Sequence, residues 1–361
     1  MRRIMPWGAI GLSIAAGLVF AGPVASRNTA STAVDQTLVP YASTKHSVRL
    51  PNGRTIHWVC MGRGSPTVIL TAGAGAWSET WSLVQPAVAR ATRVCAWDRA
   101  GFGLSTPPAK PQTVQDSTRD LSAALAAAPF AAPYILVGHS GGSFESLLLA
   151  DSDQRQVAGM VLVDPSFPDE EERLDRASPG QVAYMKGMLD RVYPSLRQCI
   201  ADALHSGKLK KTGPDPTGCL QQKWPPTYPP ELIAASERMI AEATPQTIAA
   251  GLETMLSGSS LEMLARNSKL AINPSRNYGD MPLIVLTRTV FGAPPDYPAA
   301  ARAEIPAEEA EWNKGHDELA ALSTRGINAR VPGSGHDMQH MKPQVVIDAI
   351  DQVIREARRS K

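Results

Sequence analysis

A chain of 361 residues with 43% hydrophobic and 19% charged content is an ordinary globular composition, enough for one large α/β domain with an inserted lobe or two modest domains. The formal net charge of +2 gives no electrostatic argument for nucleic acid or an acidic membrane as a partner. No internal repeat or basic stripe is visible, and the short cationic run Lys208 to Lys211, flanked by Gly207 and Gly213, reads as a solvated loop.

At the N-terminus, Arg2 and Arg3 precede a mostly apolar stretch from Ile4 to Val24 that leads to the small residues Ala25 and Ser26. That is the layout of a secretory signal peptide, so residues 1–26 are expected to direct export to a periplasmic or extracellular location. The stretch also approaches the roughly 20 residues that span a bilayer, which leaves an uncleaved anchor over residues 4–24 as the alternative. Only in that case is a membrane partner obligatory. Residues 27–45, polar and small, are expected to form a flexible lead-in. Four cysteines in such a chain are consistent with two disulfides, for which three pairings are open. Cys60 ends one predicted strand and Cys95 lies within another, so they can bridge if those strands are neighbours. Cys199 and Cys219 bracket a Gly- and Pro-containing loop.

Ser47 to Leu50 and Thr55 to Cys60, around Pro51-Asn52-Gly53, predict a strand, turn and strand. Thr67 to Thr71 is a third strand, leading into Ala72-Gly73-Ala74-Gly75. A helix is predicted from Thr80 to Arg90, a strand from Thr92 to Trp97, the loop Asp98 to Ser105, and a helix near Val114 to Ala128. Tyr134 to Val137 is a short buried-strand pattern ending in Gly138-His139-Ser140-Gly141-Gly142, after which Ser143 to Asp151 is helical. A strand at Gly159 to Asp164 follows. The alternation of strand and helix then breaks: residues 165–281 carry helical patterns and no convincing strand, as expected of an inserted helical cap. Strand pattern returns at Pro282 to Arg288, followed by a helix near Ala307 to Ser323, a strand at Ile327 to Val331 and a last helix from Pro343 to about Arg358. This alternation implies an α/β fold with a mostly parallel sheet covered on both faces, built from residues 46–164 and 282–361.

The Gly-x-Ser-x-Gly segment reads as a serine nucleophile on a sharp strand-to-helix turn, where glycines two residues to either side avoid collision with neighbouring backbone. Together with the glycine loop 72–75, the Asp-x-x-Gly-x-Gly-x-Ser loop at 98–105 and a late Ser334-Gly335-His336, in this order, it makes the chain resemble the α/β-hydrolase superfamily over roughly Val48 to Ile354, most of the cap excepted. The resemblance implies that the second and fourth strands are neighbours, which supports a Cys60 to Cys95 bridge.

A serine hydroxyl needs a base within reach and a third group to orient that base. The resemblance makes His336, in the loop after the last strand, the base; His139 and His340 are weaker candidates. Family members commonly place the acid after the penultimate strand, yet Leu286 to Phe291 offers no carboxylate. A minority place it after the strand that follows the nucleophile helix, and here that strand ends in Asp164. Asp164 is therefore the expected acid, with Asp296 as the alternative. Gly141 and Ala74 are the candidate backbone donors of an oxyanion hole, while the loop 98–105 is read as scaffold. A serine at position 140 argues against the dehalogenases and epoxide hydrolases of this family, which carry an aspartate there. The implied function is hydrolysis of a small-molecule carboxylic ester through an acyl-enzyme, with no cofactor and no metal, since the Cys and His spacing matches no zinc pattern. An amidase, peptidase or lactonase, and a non-catalytic ligand-binding protein, are the alternatives. Trp77, Phe144, Met185, Met188 and Met255 are candidate pocket residues.

Overall fold

A computed structural model describes residues 33–206, 226–242, 244–258, 260–293 and 297–359. The expected signal segment, Lys208 to Lys211, Cys219 and Asp296 lie outside them.

Strands β3 (Trp58–Met61), β4 (Thr67–Thr71), β5 (Val94–Trp97), β6 (Tyr134–His139), β7 (Val157–Val163), β8 (Leu283–Arg288) and β9 (Gly326–Val331) form one sheet in the order β3-β5-β4-β6-β7-β8-β9. Every pairing is parallel except β3 with β5. Strands β4, β5 and β6 are buried along their whole length, as their largely apolar sequences require when helices cover both faces. One face packs on α2 (Val114–Ala127) and α3 (Gly142–Ser152), the other on α12 (Pro343–Arg359) and the four-residue α1 (Gln85–Val88). In α12 the buried Val346, Ile347, Ile350, Val353, Ile354 and Ala357 recur at helical spacing. Each fully buried Val or Ile of this kind contributes about 1.5–3 kcal/mol.

Between β7 and β8 the described residues contain helices and no strand: α4 (Glu170–Ala177), α5 (Pro179–His205), α6 (Pro230–Glu242), α7 (Pro245–Gly258) and α8 (Leu261–Leu270). After β8 come α9 (Ala299–Ala303) and α10 (Ile305–Ala320), and the four-residue α11 (Met338–Met341) follows β9.

Three expectations need correction. The strand foreseen from Thr55 to Cys60 is two strands, because the buried His57 leaves the ladder: its N–H donates to Ser105 Oγ (2.8 Å) and its Nδ1 meets Asp98 Oδ2 (2.7 Å). Thus β2 (Thr55–Ile56) pairs with β1 (Val48–Arg49) in a separate ribbon, while β3 joins the main sheet. The helix foreseen from Thr80 to Arg90 is a 3-10 turn at Ser78–Trp81 followed by α1, with Pro86 in its first turn. The lead-in foreseen at 27–45 is folded where it is described. Asp35 caps a 3-10 helix over Gln36–Ala42, and Tyr41, fully buried, donates to Gln85 Oε1 (2.8 Å).

Cys60 and Cys95 are register partners of β3 and β5 and are joined by a disulfide. The expected Cys199 to Cys219 pairing falls outside the described residues.

Candidate active site

The expected site residues from the described chain gather at the carboxyl edge of the sheet, where ligands of open α/β sheets bind. Ser140 follows β6 with φ 51°, in the left-handed region. The turn is so tight that a Cβ on Gly138 would stand 2.6 Å from Gly142 O, and one on Gly142 2.4 Å from Ala72 O. Those contacts give the flanking glycines their steric reason. The serine backbone is tied down on both sides: Ser140 N donates to Val163 O (3.1 Å), and Ser140 O accepts from Ser166 N (3.0 Å) and Ser143 Oγ (2.7 Å).

His336 lies in the loop after β9, and Nδ1 of its ring is 2.6 Å from Asp164 Oδ2. Asp164 ends β7 with φ 40° and is fully buried. Its Oδ1 accepts from Arg288 N (3.0 Å) and Trp312 Nε1 (3.1 Å), and its Oδ2 also accepts from Arg288 Nη1 (3.2 Å). Burial alone would push this carboxyl upward, but the Arg288 charge and the His336 hydrogen bond outweigh it and hold Asp164 well below the usual carboxylate range.

Arg288 and Trp312 were not foreseen. The guanidinium of Arg288 lies between the rings of Phe291 and Trp312, 4.3 and 4.2 Å from their centroids, and Nη2 donates to Glu308 Oε1 (3.2 Å). The missing carboxylate in 286–291 was the one sequence signal that this loop is unusual. For Trp312, on α10, there was none.

His139, beside Ser140, is not oriented as a competing base. Its Nε2 donates to His336 O (3.1 Å), and its ring lies 4.7 Å from that of His336. Burial, reinforced by the neighbouring His336, pushes it down to about 4, so it is a neutral prop. His340 is on α11. Ala74 N is 3.5 Å from the point a Cβ on Gly141 would occupy, which brings the two candidate oxyanion donors side by side. A cavity of about 50 Å³ adjoins them, lined by Ala74, Gly141, Phe144, Val114, Thr254 and Leu264 among others. Of the other foreseen pocket residues, Trp77, Met185 and Met188 are half-buried outside this lining, and the side chain of Met255 lies outside the described residues. Among the described residues no group of three His, Cys, Asp or Glu side chains could hold a metal ion.

The family model described as alpha/beta hydrolase fold matches residues 66–229. The uncharacterized protein YqjL of Bacillus subtilis (strain 168) is 24% identical over 289 residues, 80% of this chain and 83% of that one. Among solved structures, an epoxide hydrolase of Bacillus megaterium in complex with an inhibitor is similar with a TM-score of 0.55 at 15% identity, over 86% of this chain and 99% of the other. A thermophilic esterase from Thermogutta terrifontis with malate bound is similar with a TM-score of 0.50 at 18% identity, over 86% and 98%. At these identities the structural likeness speaks for the fold. With its parallel sheet, its strand-to-helix turn at residue 140 and these matches, the chain has the α/β-hydrolase fold.

Proposed function

We propose that the protein is an exported serine hydrolase that cleaves a small-molecule carboxylic ester with Ser140 as nucleophile, His336 as base and Asp164 as the acid that orients the base. The observation that carries this reading is the 2.6 Å contact of Asp164 with His336 Nδ1 beside a serine held in a left-handed turn. With Nδ1 engaged by an ionised carboxylate, Nε2 is the nitrogen left to take the Ser140 proton as Oγ attacks the carbonyl. The resulting oxyanion is received by the N–H groups of Ala74 and Gly141. The imidazolium, stabilised by Asp164, then protonates the leaving alcohol, and water enters the acyl-enzyme by the same route. A serine, and not an aspartate, at position 140 favours an ester over the epoxide named for one structural relative.

Helices α4 to α8 act in this reading as a cap over the sheet edge, with Thr254 and Leu264 reaching the cavity beside the oxyanion donors. Export is supported by the Cys60–Cys95 disulfide, which persists in oxidising compartments. Among the described residues no helix is long and apolar enough to cross a membrane.

Steady-state hydrolysis of p-nitrophenyl esters from acetate to long acyl chains tests the chemistry. Ser140→Ala is expected to lose about a thousandfold or more in kcat, and Asp164→Asn about 10⁴-fold, while Asp296→Asn stays near wild type. Unchanged turnover in Ser140→Ala would remove the reading. A collapse in Asp296→Asn with Asp164→Asn active would move the acid.

A further inference from the structure

We infer that Arg99, in the loop after β5 that the sequence marked only as scaffold, is a positioning residue that sets the direction of the Ala74 N–H in the oxyanion hole. The inference rests on the serine-hydrolase reading above. The Arg99 side chain, 13% exposed, reaches from its own loop to the loop after β4 and to helix α3. Its Nη1 donates to Gly73 O (3.0 Å) and its Nη2 to Ala72 O (2.8 Å), the two carbonyls just before Ala74. Its Nε and Nη2 hold Glu145 Oε1 (2.5 Å) and Oε2 (3.0 Å), a bidentate pair with a carboxylate that is 2% exposed. Glu145 is on α3, the helix that begins at Gly142 just after Ser140 and Gly141, and its Oε1 also accepts from Ser117 Oγ of α2 (2.7 Å).

Peptide planarity turns this anchoring into an orientation. Gly73 C=O and Ala74 N–H belong to one trans peptide and point in opposite directions, so a carbonyl drawn toward Arg99 aims the amide away from it. The Ala74 nitrogen lies against Gly141, the other proposed donor. The same guanidinium, through Glu145, fixes the helix that Gly141 precedes. One side chain therefore sets both the direction of one donor and its spacing from the other. Gly73 O also accepts from Ala76 N (3.2 Å), a bond internal to the loop, so loss of Arg99 leaves the turn formed but free to shift as a unit against α3 and Gly141. Every Arg99 nitrogen is already committed to Glu145 or to these carbonyls, which suits a strut and not a binder of substrate anions.

Removing a whole oxyanion donor costs about 10²–10³ in kcat, so misdirecting one should cost about 10–100-fold. Arg99→Met alone would strand the buried Glu145 charge and endanger folding, so the informative variant is Arg99→Met/Glu145→Gln, with Arg99→Lys as its companion. The double variant is expected to keep a wild-type circular dichroism spectrum, to lose about 10–100-fold in kcat on p-nitrophenyl butyrate with KM within about threefold, and to bind an alkyl trifluoromethyl ketone less tightly by the same factor as kcat. That ketone forms a tetrahedral adduct whose oxygen sits in the hole, so a merely structural ion pair would leave its affinity unchanged. Arg99→Lys, which keeps the charge without the fork, should recover less than half of the loss on a logarithmic scale. A folded double variant with kcat and ketone affinity within twofold of wild type would overturn the role of Arg99 and leave the serine mechanism standing. Wild-type protein that neither hydrolyses the ester nor takes a p-nitrophenyl phosphonate on Ser140 would overturn both.

Discussion

The Cys60–Cys95 bond closes a loop with a sequence separation of 35 and staples β3, the edge strand and the one antiparallel member of the main sheet, to β5. In the chain-entropy description a loop of that length removes about 13 cal/mol/K from the unfolded ensemble, or about 4 kcal/mol at 25 °C. Against a typical domain stability of about 5–15 kcal/mol this is a large share. Cys60→Ala/Cys95→Ala is therefore expected to lower the urea midpoint by more than about 1 M for an m-value near 3 kcal/mol/M. Far-UV circular dichroism along a urea series is the assay, at pH 7.5 so that protonation is constant. The same variant should leave kcat within about twofold at 25 °C. From β3 to β6, which carries Ser140, there are three strand spacings, about 14 Å, and the intervening β5 and β4 are buried throughout. A midpoint shift of a few tenths molar or less would refute the entropic reasoning. A fall in kcat matching the stability loss would refute the isolation of the edge from the site.

Two further outcomes follow from the buried charges. Arg288→Met leaves the carboxylates of Asp164 and Glu308 buried without their cation, and is expected to cost about 3–5 kcal/mol of stability, read as a fall in the urea midpoint; a midpoint within error of wild type would show that Arg288 is not needed as a counter-ion. His316, fully buried between Thr287 Oγ1 (2.7 Å) and Pro165 O (2.8 Å), is held by burial down to about 4. Its folded value lies below the ordinary 6.5, so the unfolded chain takes up the proton first. The stability it contributes is complete above pH 6.5 and is lost as pH falls toward 4. His316→Gln should accordingly remove about one proton of uptake on unfolding, flattening the slope of unfolding free energy by about 1.4 kcal/mol per pH unit between pH 6 and 5. The comparison with wild type cancels the opposite contribution of Glu79, which burial raises to about 7. An unchanged slope would mean that His316 is not held neutral.

What was legible in the chain follows from which forces are local. Strands β4, β6 and β8 could be read almost to the residue, because strands buried on both faces must be continuous apolar runs. The turn at Ser140 could be read because the clash that demands Gly138, with Gly142 O, lies within five residues, although the one at Gly142 is with the distant Ala72. The break at His57 could not: it is decided by Asp98 and Ser105, 41 and 48 positions away, whose side chains compete with the ladder for that backbone and ring. The partners of Asp164 other than His336 were invisible for the same reason. Arg288 and Trp312 lie 124 and 148 positions further along, and nothing periodic marks them.

Asp164 and Arg288 also explain one another. Strands β7 and β8 are neighbours, with Val163 opposite Leu286, and Asp164 N donates to Leu286 O (2.8 Å). A carboxylate at the end of β7 therefore stands about one strand spacing, roughly 4.8 Å, from the position after β8 that the family resemblance first pointed to. The His336 loop spans such a distance easily, provided the carboxylate is turned toward it, and the left-handed φ of Asp164 supplies that turn. The cost is full burial, which by itself favours the neutral acid. An arginine at the end of the adjacent strand offsets that cost twice, by its charge and by its backbone N–H, and its own charge is divided with Glu308. The absence of a carboxylate between Leu286 and Phe291 is thus one half of a coupled arrangement, and the charge that keeps the proposed acid ionised is the other.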